Sequence, residues 1–93
     1  MVQLTNKVMN FLLLVRENKG SITKDSQTMY GTVGYYMMIG YLKKNGFLEH
    51  DGNTDSNQKI WKLTQKGRKA SELINNLRRV LNGEEIESDT PEQ

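Results

Sequence analysis

A chain of 93 residues and 10.7 kDa accommodates one small domain, because two cores of half that size would bury too little surface to offset chain entropy, so multidomain enzymes are excluded. With no Cys, one His and one Pro, it lacks thiol nucleophiles, disulfides and Cys-rich zinc sites; without a long apolar run or a secretory signal at positions 1–5, a soluble cytoplasmic chain is expected. The net charge of +2 conceals an acidic run at positions 84–93, and the 13 basic and 6 acidic residues of positions 1–83 leave a body charge of +7.

The first predicted element is a helix over 6–18. Thr5 is placed to cap it, Val8, Phe11, Leu12 and Val15 recur at helical spacing, and Lys19-Gly20 supply the stop. Leu13 and Leu14 make this helix apolar on more than one side, which predicts that it is either wrapped by the rest of the fold or shared with a second subunit. Ser21-Ile22-Thr23 reads as extended, after which Thr23 caps a short polar helix to about Met29. Gly31 breaks it. Thr32 is the expected cap of the next helix, where Tyr35, Ile39 and Leu42 share a face and Gly46 takes the left-handed position that ends it.

Two strands follow, at 47–50 and 59–63, the second alternating with Trp61 and Leu63 inward and Lys62 outward. Positions 51–58 between them form a polar loop. Thr64 caps a last helix whose apolar residues Ala70, Leu73, Ile74, Leu77, Val80 and Leu81 form a continuous stripe, and Gly83 ends it. Positions 1–83 therefore make one domain. Positions 84–93 form an acidic tail with Ile86 as its one large apolar residue, expected to be disordered.

The hinge Leu42-Lys-Lys-Asn-Gly46-Phe47-Leu48 and the strand-to-helix run Trp61-Lys-Leu63-Thr64-Gln-Lys-Gly67 resemble those of winged helix-turn-helix regulators of the MarR and PadR types. Thr28-Met29-Tyr30-Gly31 and Tyr41-Leu42 are similar to segments of the small archaeal ten-kilodalton chromatin-associated winged-helix proteins. That resemblance covers positions 5–81. It implies a mainly helical α+β winged helix-turn-helix fold with a two- to three-stranded antiparallel wing sheet and a C-terminal dimerisation helix.

In that architecture the third helix enters the DNA major groove and its first turn can offer backbone N–H groups to a phosphate. With Tyr35, Ile39 and Leu42 inward, Thr32, Val33, Tyr36, Met37, Gly40 and Lys44 face outward. Thr32 and Tyr36 could then hydrogen-bond phosphates or base edges, Met37 could meet a thymine methyl, and Lys43 and Lys44 could reach the backbone. With no Arg, Asn or Gln in the N-terminal part of this helix, indirect sequence readout is expected rather than a sharp code. The plainer alternative makes Tyr35, Tyr36 and Tyr41 packing residues.

Lys24, Lys59 and Lys62 flank this helix as candidate phosphate contacts, with Lys66, Arg68 and Lys69 beside the second strand; each could equally be a solvated surface charge. The wing loop carries Asp51 and Asp55 and no base before Lys59, so Asn57 is its candidate DNA contact and the wing belongs at the edge of the footprint. Leu13, Leu14, Leu73, Leu77, Val80 and Leu81 are the candidate homodimer interface. Arg78 and Arg79 could pair with the acidic tail.

Other chemistry finds little support. Asp51-Gly-Asn53-Thr-Asp55 matches the opening of a calcium loop, but the sixth position is Ser56 rather than Gly and the twelfth is Lys62 rather than Glu. His50 has no His or Cys to complete a zinc site, so no metal or other cofactor is expected. Gly31-Thr-Val-Gly34 lacks the basic residues of an RNA-clamping loop, and Gly34 and Gly40 read as allowing close helix packing. No catalytic constellation is present, and an enzyme is not expected. Two functional readings remain: a nucleoid-associated homodimer on double-stranded DNA, as transcription regulator or chromatin-type architectural factor, or a winged-helix module that binds protein and no DNA.

Overall fold

The computed structural model describes residues 5–83. In chain order these form α1 (Asn6–Glu17), β1 (Ser21–Ile22), a 3-10 turn (Lys24–Ser26), α2 (Thr32–Lys44), β2 (Leu48–Asn53), β3 (Lys59–Leu63) and α3 (Gln65–Leu81). The strands make one antiparallel sheet in the order β1-β3-β2, so the described residues form an α+β fold. The acidic tail lies outside them.

Local signals set most of the boundaries. The Thr5 side chain accepts the Val8 N–H at 3.2 Å and opens α1, and Thr64 does the same for Gly67 at 3.0 Å and opens α3. At the end of α2, Gly46 has φ +84. The Phe47 N–H then donates to Leu42 O at 2.8 Å and the Gly46 N–H to Lys43 O at 3.1 Å, the paired bonds of a Schellman motif. Gly83, with φ +86, follows α3 in the same way.

α1, α2 and the inner face of the sheet enclose the core. Phe11, Leu12 and Val15 of α1 meet Tyr35, Ile39 and Leu42 of α2, above Ile22, Leu48, Trp61 and Leu63 of the three strands. Each such buried side chain contributes about 1.5–3 kcal/mol relative to exposure. The inward alternation expected of Trp61 and Leu63 is present, with both buried.

Four expectations are corrected. The polar helix from Thr23 to Met29 shrinks to the 3-10 turn, because the buried Gln27 side chain takes over backbone partners that a helix would use. Its Nε2 donates to Tyr30 O at 3.1 Å and to Lys24 O at 3.3 Å, while its Oε1 accepts the Tyr30 N–H at 2.8 Å. Thr32 is the first residue of α2 rather than its cap; that position falls to Gly31, which supplies no side-chain bond.

The first wing strand is Leu48–Asn53 rather than 47–50, since Phe47 is spent on the Schellman motif and pairing extends past His50. One extra residue on β2 between the His50–Trp61 and Asn53–Lys59 pairs makes a bulge, where Gly52 has φ +81. The open loop is therefore only 54–58. Finally, no neighbouring atom lies within 4 Å of a Cβ built on Gly40, and only Tyr30 Cδ1, at 3.9 Å, approaches one on Gly34. Neither glycine is required by close helix packing.

Candidate nucleic-acid interface

The first two turns of α2 form its open side. Tyr35, Met38, Ile39 and Leu42 are buried, which leaves Thr32, Val33, Tyr36, Met37, Gly40, Lys43 and Lys44 exposed, as the helical spacing predicts. Val33 at 72% and Met37 at 69% are among the most exposed large apolar side chains described. Because Gly31 brings no capping side chain, the first-turn N–H groups of α2 lack the local acceptor that Thr5 and Thr64 provide for α1 and α3.

Beside this face the 3-10 turn, the start of α2 and the base of the wing enclose a cavity of about 310 Å³. Lys24, Tyr36, Asn57 and Lys59, four candidates from distant parts of the sequence, line it together with Tyr35, Gln58 and Trp61. Two features hold the wing base there. Asn57 takes φ +67, and its N–H donates to Thr54 O at 2.9 Å, closing the loop tightly. Gln58 Nε2 donates to Asp25 Oδ2 at 2.7 Å, bridging 33 residues from the wing to the 3-10 turn.

Trp61 also meets residues outside the cavity lining. Lys43 Nζ lies 5.5 Å from its ring centroid, a cation–π contact, and the His50 ring is 5.5 Å away on the adjacent strand. Tyr36 and Lys43, seven residues apart, thus both belong to the side of α2 turned toward the sheet. Tyr36 stands edge-on to Tyr35 at 5.0 Å.

The Tyr35 hydroxyl is the one buried side-chain N or O atom among the described residues without a hydrogen-bond partner. Burial, and secondarily the neighbouring Tyr36, push its pKa up to about 12 from an ordinary 10.0, so it is a neutral phenol at physiological pH.

Not every candidate joins this cluster. Lys62 points to the opposite face of β3 from Lys59, by the two-residue period of the strand. There its Nζ lies 3.7 Å from Asp51 Oδ1 and 3.9 Å from Glu49 Oε2, so the acidic wing offsets its charge. Met37 lines a separate apolar groove with Thr5, Val8, Met38 and Tyr41. Lys66 is engaged at the hinge, donating to Asn45 O at 2.9 Å and standing 4.8 Å from the Phe47 ring centroid.

The candidate dimer residues divide. Leu13 is buried within the protomer and Leu14 is half-buried against the core, so neither is the unpartnered surface expected of it; α3 covers that side of α1. Leu73, Leu77, Val80 and Leu81 are 50–75% exposed. With Leu77 and Leu81, residues Met9, Leu13 and Ile74 line a shallow groove of about 160 Å³ between α1 and α3. Arg78 pairs with Glu17 of α1 at 3.2 Å, while the pairing expected with the acidic run at 84–93 lies outside the described residues.

Tyr35 and Trp61 read from the sequence as core residues, and they are buried; that they also wall a cavity has no sequence signal, because it depends on where the wing base folds back. Among the described residues no helix is long and apolar enough to cross a membrane. No protein-family model matches the chain, and the comparisons with curated proteins and with solved structures return no match.

Proposed function

We propose that this protein is a winged-helix protein that binds double-stranded DNA as a homodimer, acting as a transcription regulator or a chromatin-type architectural factor. The observation that carries the reading is the open face of α2. Thr32, Val33, Tyr36 and Met37 project from a helix start with no side-chain cap, flanked by Lys24 and Lys59 on one side and by Lys43 and Lys44 further along. A helix presented this way fits a major groove, and its free N–H groups and surrounding lysines suit phosphate. The α1-β1-turn-α2-β2-β3-α3 order and the wing-like β2–β3 hairpin are compatible with that fold.

Homodimerisation is supported by α3. Only Gly67 and Ser71 of its 17 residues are buried, while its apolar stripe stays exposed on one side. A second copy covering Leu73, Leu77, Val80 and Leu81 would bury that stripe and place two copies of α2 on one duplex.

A gel shift on random-sequence duplex at low and moderate salt tests the DNA reading. Binding that weakens steeply with salt is expected, and Lys43→Ala with Lys44→Ala, which removes four lysines from a dimer, should lower the slope of log affinity against log salt by about 4. Absence of binding even at low salt would favour the second reading, a protein-interaction module. Exposed Met29, Val33 and Met37, all 68–72% accessible, are the feature that favours it.

A further inference from the structure

The cavity at the wing base shares Lys24, Lys59 and Tyr36 with the proposed groove-binding face and adds an aromatic wall behind them. Its lining combines two cations from separate elements, Lys24 and Lys59, with aromatic side chains. Tyr36 is 55% exposed and offers an accessible ring, while buried Trp61 forms the wall beneath. Tyr35, 1% exposed, also lines it.

The required ligand chemistry can be narrowed. A lone phosphate would leave the aromatic walls and most of the 310 Å³ unfilled, and a neutral aromatic molecule would leave both lysines uncompensated. A phosphate presents oxygens to both lysines at once, as the monoester of a free mononucleotide, which carries about −1.5 to −2 at neutral pH, or as a singly charged diester within a strand. The volume lies at the small end of the range for ligand pockets, roughly 300–1,000 Å³.

We infer that this cavity binds one nucleotide unit, with its phosphate between Lys24 and Lys59 and its base against Tyr36. The unit comes either from a free mononucleotide or from a nucleic-acid strand laid past the wing. Asp25 is the nearby acid, and its carboxylate is held by Gln58 at 2.7 Å. Asn57, in the left-handed region, fixes the rim on the wing side.

Trp61 is the chain's single tryptophan, so its fluorescence reports on this cavity directly. The full chain is titrated with AMP, with dTMP, with adenosine, with inorganic phosphate and with a short single-stranded oligonucleotide. Saturable fluorescence change with a mononucleotide, and at least tenfold weaker response to adenosine or phosphate, is expected for a free-nucleotide site. Change with the oligonucleotide alone assigns the site to a strand. Lys24→Ala with Lys59→Ala should weaken either response at least tenfold. Tyr36→Leu should weaken it several-fold, since it removes the accessible ring against which the base is placed.

The inference is overturned if neither mononucleotide nor oligonucleotide alters Trp61 emission up to millimolar concentration, or if the lysine double variant or Tyr36→Leu responds as the parent does. Failure of duplex binding in the gel shift, with the fluorescence response intact, would instead remove the groove-binding reading alone.

Discussion

Gly67, in the first turn of α3, lies so close to the backbone of Phe47 that a Cβ built on it would overlap the Phe47 carbonyl oxygen. The same carbonyl accepts the Thr64 N–H at 3.0 Å, and the Thr64 hydroxyl donates to Gly46 O. The end of α2 and the start of α3 are thus fastened together at the point where the sheet begins, and the spacing Leu63-Thr64-Gln-Lys-Gly67 has its physical reason there. Helix α3 can dock this closely only because position 67 has no side chain.

Gly67→Ala is expected to destabilise the protein by at least about 2 kcal/mol, because the obstructing atom is backbone and Leu63 Cδ2 closes the other side. In a chain this size that lowers Tm by roughly 8–16 °C. Gly40→Ala is the control: with nothing near its Cβ and a mid-helix position, it should raise stability by about 0.5–1 kcal/mol. Denaturant unfolding of both variants measures the contrast.

Tyr35 predicts an alkaline transition. Its folded pKa of about 12 lies above the ordinary 10.0, so the protonated phenol is favoured by folding. The associated stability is fully present below pH 10 and is lost as the pH rises toward 12. Ultraviolet titration of tyrosinate should show one late phase that Tyr35→Phe removes, and the stability of that variant should fall less between those two pH values.

Leu77→Glu places a carboxylate in the middle of the exposed stripe of α3, where it is solvated in a monomer and buried in a dimer. Light scattering should show a dimer for the parent and a monomer for the variant, with little change in helix content. A parent that is monomeric at micromolar concentration would remove the homodimer from the proposal.

The acidic run at 84–93 carries five carboxylates and is joined through Asn82 and Gly83 to a body of charge +7. They are expected to compete with DNA for its lysines at low salt, where screening is weak. Truncation after Gly83 should tighten binding to non-specific duplex and steepen its salt dependence. Equal affinity of the two chains at low and moderate salt would leave the run without an inhibitory role.

The lysines show how much of the candidate interface was legible before the fold was known. The exposure of Lys43 and Lys44 follows from the face of α2 that Tyr35, Ile39 and Leu42 bury, and that face is written in the three-four spacing of apolar residues. Lys59 and Lys62 look alike in sequence, yet one lines the cavity and the other stands between Glu49 and Asp51. Strand alternation separates them, but which side faces α2 depends on packing. Likewise Leu13 reads as surplus apolar surface until α3 is laid across it.

What the chain determines by itself is what can be decided within a few residues: the caps at Thr5 and Thr64, the left-handed ends at Gly46 and Gly83, the alternation of Trp61 and Leu63, and the stripe along α3. Each is a short-range matter of orphan N–H groups, allowed φ or side-chain period. Tertiary structure alone decides that Gln27 is buried and that Gln58 reaches Asp25 across 33 residues. It also decides that Lys24 and Lys59 share a cavity with Tyr35, Tyr36 and Trp61. Those outcomes depend on which polar groups are left without water once the core closes, and no local pattern carries that information.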